Sequence, residues 1–304
     1  MHPATSILLK LSTRKKVRSD YDSLLPDMPF HAGIQHNLFQ TNKTKDNLNK
    51  DIENNIRKLQ DMNPDWAYRF FDDDDIEKYI RQYYGDVILS FYNRIDAHYG
   101  AAKADFFRYL VIYREGGVYL DLKSTVNLPL SQVIRNDDSY ILSYWNNLPG
   151  QGHEGFGHYP GLPDYIERGE IIQWYLAASA GHPLLRRIII RMLDNIDHYN
   201  PYIHGVGWTG TVSTTGPIMY TKEIYDLLRD DPGSFPVRWT DIIESCGFQY
   251  SIFMAAQGDS PSTPLHTRIL SSDYRKATTP VIKHPNPAIN FINRIYLTLL
   301  NRLH

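Results

Sequence analysis

The run from Ala101 to Ser124, AAKADFFRYLVIYREGGVYLDLKS, constrains what this chain can fold into more than any other stretch. Phe106, Leu110 and Tyr113 recur at helical spacing, and Arg114 with Glu115 closes the last turn. Gly116 and Gly117 then stop the helix, as a C-terminal glycine in a left-handed backbone does. Val118, Leu120 and Leu122 follow as a short apolar strand with Asp121 near its end. Asp105 and Arg108 stand three apart, so they share a helical face and can point at one ligand. In an open α/β sheet, ligands gather beyond the carboxyl ends of the strands, where Asp121 would be presented. Helix, double glycine and acidic strand end together predict a preassembled polar site.

The flanking segments predict the sheet that receives this unit. Gly33 to Thr41 reads as a first strand running into a polar loop. Leu48, Ile52, Ile56 and Leu59 keep one apolar face through a helix that ends near Asn63-Pro64. Trp66, Tyr68 and Phe70 alternate as a second strand. The four aspartates Asp72 to Asp75 invite a metal site, but no glycine-bearing calcium loop accompanies them. They read instead as a helix start, with Asp74 and Glu77 as its capping box and Gly85 as its end. Strand, helix, strand, helix, helix, strand is the alternation of a parallel α/β sheet.

Ser139 to Trp145 is a further strand, and Gly150 to Gly155 after it matches G-x-G-x-x-G literally. That motif needs a helix opening on its third glycine, and the Gly/Pro-rich stretch that follows cannot form one. A dinucleotide fold is rejected in favour of a mobile loop at the ligand edge, a lid. Ile171 to Ala178 reads as a strand, and Gly181-His-Pro183 starts a helix carrying Leu184, Leu185, Ile188, Met192 and Ile196. Trp208 is read either as a platform for a sugar face or as a buried structural tryptophan. The tail from Ala288 to His304 reads as an amphipathic helix, docked by preference or else lying on a membrane surface. Residues 1 to about 30 form a loosely held lead-in.

Composition narrows the partners. A net charge of −2 gives no bulk attraction to nucleic acid, and no basic stripe suggests one. The single Cys246 rules out an intramolecular disulfide and suits a reducing compartment. No window approaches the apolar length of a membrane span, so a cytoplasmic protein is expected, peripheral at the membrane if the tail helix binds lipid.

Asp105, Arg108, Gly116, Gly117, Tyr119 and Asp121 in this spacing resemble the "DXD" sugar-transferase family (glycosyltransferase family 32-like). That family includes yeast initiating mannosyltransferases and, more distantly, the large clostridial glucosylating toxins. Asn63 to Asp72 and Thr215-Gly216-Pro217 resemble further family segments, so the likeness covers about residues 30 to 220 and thins beyond 230. It implies a GT-A-like α/β fold, a single Rossmann-like sheet, mixed but mainly parallel, flanked by helices with a C-terminal helical appendage. Residues 1–30 would be the lead-in, 31–230 the nucleotide-sugar-binding core, and 231–304 a part that completes the site.

The resemblance also implies an activity: a retaining hexosyltransferase moving a hexose from a nucleotide-sugar to a glycan or lipid-linked acceptor. UDP-hexoses are the first choice of donor and GDP-mannose the next. Asp121, Asp105 and Arg108 are the implied catalytic residues. Phe39, Gln40 and Thr41 would lie near the base, Tyr119 would line the site, and Thr215 and Gly216 would line the sugar pocket. Asp121 would hold Mn²⁺ or Mg²⁺ on the diphosphate, with His266 or His284 as candidate further ligands. One departure matters: the family reads Asp-x-Asp, and here Lys123 stands where the second aspartate is expected. Lys123 either neutralises the donor diphosphate itself, or points away and leaves Asp121 to bind the metal with Ser124 and water. The alternative function is an inactive nucleotide-sugar-binding homologue.

Overall fold

The structure is a computed structural model of the 304-residue chain and describes residues 19–240, 247–253 and 274–300. A 3₁₀ turn, Ser19–Leu24, leads into β1 (Asn37–Thr41), α1 (Lys50–Met62), β2 (Ala67–Phe71), α2 (Asp73–Arg94), α3 (Gly100–Glu115) and β3 (Gly117–Leu120). β4 (Thr125–Val126), α4 (Leu130–Val133), β5 (Tyr140–Ser143), β6 (Tyr175–Ala178) and α5 (Pro183–Asp197) follow. The remainder is α6 (Pro201–His204), α7 (Gly207–Thr214), α8 (Pro217–Asp230), β7 (Arg238–Thr240), β8 (Phe248–Gln249) and α9 (Pro287–Leu300).

Six strands form one sheet in the order β2-β1-β3-β6-β5-β7. β1 pairs parallel with β2 and β3, β5 pairs parallel with β7, and only β6 runs against its neighbours β3 and β5. This is the mixed, mainly parallel α/β sheet that was expected. One face packs against α2, α3, α5 and α8, where Phe106, Tyr109, Leu185, Ile188 and Tyr220 are buried. The other face packs Leu59, Leu130, Val133 and Phe248 against Leu38, Val118 and Ile141. β4 pairs with β8 beside it, and β7 adds an edge strand, so residues beyond 230 are woven into the sheet.

The double glycine is required at the centre of this arrangement. Gly116 (φ +63°) and Gly117 (φ +118°) turn the chain from α3 directly into the middle strand. A Cβ on Gly116 would stand 2.6 Å from the Ala180 nitrogen, and one on Gly117 would penetrate the Asn37 carbonyl oxygen. The Asn37 side-chain amide closes the junction by donating to the Glu115 carbonyl at 3.1 Å. No L side chain fits here without displacing a neighbouring strand.

Three local expectations need correction, and one holds. The capping box on α2 is formed by Asp72 and Asp75, two residues earlier than read, because the helix starts at Asp73. Gly85 (φ 77°, ψ 176°) ends the first helical stretch of α2 as expected, and a second stretch follows it directly to Arg94. The lead-in is held from residue 19: Tyr21 and Leu25 are buried, and Arg186 ties Asp22 down at 2.8 Å. α9 is a helix but only partly docked, since Leu297 is buried while Phe291 and Ile292 are 65% and 61% exposed. No helix among the described residues is long and apolar enough to cross a membrane.

Candidate active site

The site forms where α3 and β3 bring their ends to the carboxyl edge of the sheet. Arg108, on α3, is the hub. Its guanidinium donates to the Asp121 carboxylate at 2.8 Å, lies 3.3 Å from Asp105, and also donates to the Gln173 carbonyl. The group rests on the Tyr119 ring, 4.6 Å from its centroid. Asp105 takes a second bond from the Thr215 hydroxyl at 2.8 Å. The three charges thus form a largely buried array in which both carboxylates share one cation, the condition under which burying charge is tolerated.

Electrostatics follow from burial. Burial pushes the Asp105 carboxyl up to about 6, against the pull of Arg108 and Thr215. Burial also opposes the charge on Arg108, but Asp121, Tyr119 and Asp105 outweigh it and hold the guanidinium above its ordinary value. Tyr119 is pushed up to about 12, chiefly by burial, and donates or accepts a 2.9 Å bond with Thr41. The Asp121 side chain keeps 25% of its surface exposed, whereas Asp105 and Arg108 are sealed at 6% and 5%. Asp121 is therefore the carboxylate a ligand reaches first.

The sequence-derived residues do not all converge. Asp105, Arg108, Tyr119, Asp121 and Thr215 converge as described. Gln40 and Thr41 brace that cluster: the Gln40 amide donates to the Asp121 carbonyl at 3.2 Å and accepts from the Tyr68 hydroxyl at 2.9 Å. Gly216 sits beside Thr215 at the turn between α7 and α8, and its added Cβ would collide with Val212. Phe39 is a correction. It is fully buried in the helix-side core with Arg69 stacked over its ring, so it is closed to a base. His284 lies in a separate groove with Arg94, Asp197 and Asn293, and its Nδ1 accepts from the Asn286 N–H at 3.0 Å. His266 and Cys246 lie outside the described residues.

An aromatic wall, absent from the sequence reading, adjoins this cluster through Trp174 and Tyr250. Trp145 lies two residues beyond β5, and its indole N–H donates to Glu170, which burial pushes up to about 7. Trp174 accepts the Asp121 N–H on its carbonyl at 2.9 Å. Tyr250 packs edge-on against both Trp145 and Trp174, with ring centroids 5.2 Å and 5.5 Å away. Tyr159, on the loop between β5 and β6, approaches Trp208 at 5.0 Å and interacts electrostatically with Glu170, Tyr250 and Tyr274. The loop is irregular throughout residues 150–163, with no helix on the third glycine, which upholds the rejection of a dinucleotide site. Asn147 staples its two arms through the Phe156 and Arg168 carbonyls.

The donor set for a divalent cation is thin. Among the described residues no three acidic, histidine or cysteine side chains gather into a metal-binding group. Asp121 offers one carboxylate, already bonded to Arg108, and Lys123 contributes an ammonium where a second carboxylate would stand. A hard dication prefers several oxygen ligands and is repelled by a neighbouring cation. The described residues do not fit Mn²⁺ or Mg²⁺.

Comparison with known proteins agrees with the motif. The chain is 28% identical to an "Initiation-specific alpha-1,6-mannosyltransferase" of Schizosaccharomyces pombe, over 69% of this chain and 53% of that protein. It is 30% identical to the protein of that name in Candida albicans, over 61% of this chain and 51% of that protein. The chain thus spans about half the length of the curated relatives it matches. Among solved structures it is similar to "PaToxG Glycosyltransferase", with a TM-score of 0.45 at 16% identity, covering 75% of this chain and 80% of that one. Residues 49–140, the stretch that carries Asp105, Arg108, the double glycine and Asp121, match the family described as "Glycosyltransferase sugar-binding region containing DXD motif", so the resemblance read from the sequence is borne out there.

Proposed function

We propose that the chain is a retaining hexosyltransferase that uses a nucleotide-sugar donor. The observation that carries this reading is Arg108 bound at once to Asp105 and Asp121 at the carboxyl end of β3, inside the segment that matches the sugar-binding family. Transfer leaves a nucleoside diphosphate with concentrated negative charge, and fixed cations and dipoles stabilise such a leaving group best where water is excluded. Asp121, the accessible carboxylate, accepts hydrogen bonds from the sugar hydroxyls. Arg108 and Asp105 hold it in register, and Thr215 fixes Asp105. Retention follows from attack on the face that the diphosphate leaves, with that diphosphate taking the proton of the acceptor hydroxyl. No side chain need act as base.

UDP-hexoses and GDP-mannose remain the donors to test, and the mannosyltransferase names of the relatives support the second. The acceptor is a glycan or a lipid-linked glycan. Exposed Phe291, Ile292 and Ile295 on α9 support contact with a lipid surface that would present it. One observation favours a second reading, an inactive nucleotide-sugar-binding homologue: Lys123 at the position of the second acidic residue.

The deciding experiment measures hydrolysis of UDP-glucose, UDP-galactose and GDP-mannose by the wild type and by Asp121→Ala. Turnover of one donor that disappears in the variant supports transfer. Calorimetric binding of a donor with no turnover, even with glycan acceptors added, supports the inactive homologue. Absence of both binding and turnover overturns the donor site.

A further inference from the structure

Lys123 is better placed than a solvated surface lysine. Residues 247–253 are sewn onto the turn that follows Asp121. β8 pairs with β4, the Asn127 N–H donates to the Gly247 carbonyl at 2.7 Å, and the Ile252 N–H donates to the Lys123 carbonyl at 2.9 Å. The Ser124 hydroxyl donates to the Tyr250 carbonyl at 2.8 Å. Tyr250 is thereby fixed beside the turn, with its ring clamped by Trp145 and Trp174. Lys123 uses it as a seat: the ammonium donates to the Tyr250 hydroxyl at 2.8 Å and stands 4.1 Å from the ring centroid. Among the described residues no carboxylate pairs with it.

We infer that Lys123, seated on Tyr250, is a binding group for the donor's diphosphate and takes the place of a divalent cation. This rests on the proposed nucleotide-sugar reading. An ammonium has three donors, and Tyr250 uses one, so two remain for phosphate oxygens. The π face attracts the cation without cancelling its charge, whereas a carboxylate partner would cancel it. When the anomeric carbon–oxygen bond breaks, its electron pair goes to the terminal phosphate oxygen, and the Lys123 N–H bonds strengthen with that charge. The new bond forms from the acceptor oxygen, whose proton passes to the released diphosphate. Lys123 begins and ends protonated.

The test is calorimetric binding of UDP and GDP in EDTA and in excess Mn²⁺. The wild type is expected to bind the matching nucleotide equally in both. Lys123→Gln weakens binding in EDTA by about 10- to 100-fold, the usual worth of a charge-assisted hydrogen bond. Lys123→Asp also loses binding in EDTA and recovers it in Mn²⁺, because it rebuilds an acidic pair with Asp121. Tyr250→Phe keeps the ring and loses the hydroxyl, so it weakens binding by about threefold to tenfold. Circular dichroism and melting curves establish that each variant is folded. Wild-type binding that requires Mn²⁺, or Lys123→Gln binding as tightly as wild type in EDTA, overturns this inference alone. Failure of wild type to bind either nucleotide under both conditions overturns the donor reading beneath it.

Discussion

The two walls of the site are built on different physics. The wall of Asp105, Arg108 and Asp121 is a charge array, with every carboxylate answered by one guanidinium. The wall of Trp145, Glu170, Trp174 and Tyr250 is aromatic and close to neutral, and its buried carboxyl has the Trp145 indole and Tyr159 for partners and, among the described residues, no ion-paired cation. The first arises from about twenty consecutive residues. The second is gathered from four points spread over more than a hundred. The difference teaches that charge is fixed locally, where geometry is most reliable, while shape is assembled by the whole sheet.

Breaking the charge array at its hub should have the largest effect. Arg108→Leu leaves Asp105 buried without its cation, so an unfolding free-energy loss of about 3–5 kcal/mol is expected in urea titration, together with loss of donor hydrolysis. Asp121→Ala separates chemistry from folding, because that carboxylate is partly exposed. Donor hydrolysis should fall by about a hundredfold or more, while the urea midpoint shifts little. A midpoint that moves as far as that of Arg108→Leu would make Asp121 a structural residue.

The aromatic wall is tested through pH. Burial holds the Glu170 carboxyl at about 7 instead of 4.5, so the folded protein prefers the protonated acid. This stability is complete below pH 4.5 and is lost as pH rises through about 7. The loss should be on the order of 2–3 kcal/mol, followed by denaturant midpoints and Trp145 fluorescence. Glu170→Gln should flatten that slope, and a slope that persists would assign it elsewhere. Asp105 has the same sign between 3.8 and about 6, so Asp105→Asn removes a second, lower-lying component. The smallest effect is expected for Thr215→Val, which removes one hydroxyl from Asp105. It should cost about 1–2 kcal/mol and leave hydrolysis measurable.

Much of the charge wall was legible because its residues are close in the chain and its punctuation is unambiguous. Helical spacing aligned Asp105 with Arg108, and Gly116-Gly117 fixed the turn into β3. Thr215 was found through family likeness and not through pattern. The aromatic wall was not legible, since nothing in the spacing of Trp145, Glu170 and Tyr250 says that β8 pairs with β4. The direction of β6 was equally hidden, because four buried residues, Tyr175–Ala178, read the same either way. The capping register slipped by two because four adjacent aspartates offer several equivalent caps, and tertiary contacts chose among them. Phe39 was misplaced because a strand residue next to Gln40 and Thr41 can face either the core or the ligand, and alternation sent it inward.

The reversal of β6 has a further consequence. Because β5 ends and β6 begins on the same rim as Asp121, the chain between them must leave and return at the mouth of the site. That segment is held by Asn147 at one end and Glu170 at the other, and between them Leu162 and Ile166 are buried against Val212 of α7 and Ile218 of α8. Its middle is therefore seated by the helix layer, so the shape of that rim follows α7 and α8 and not the strand order.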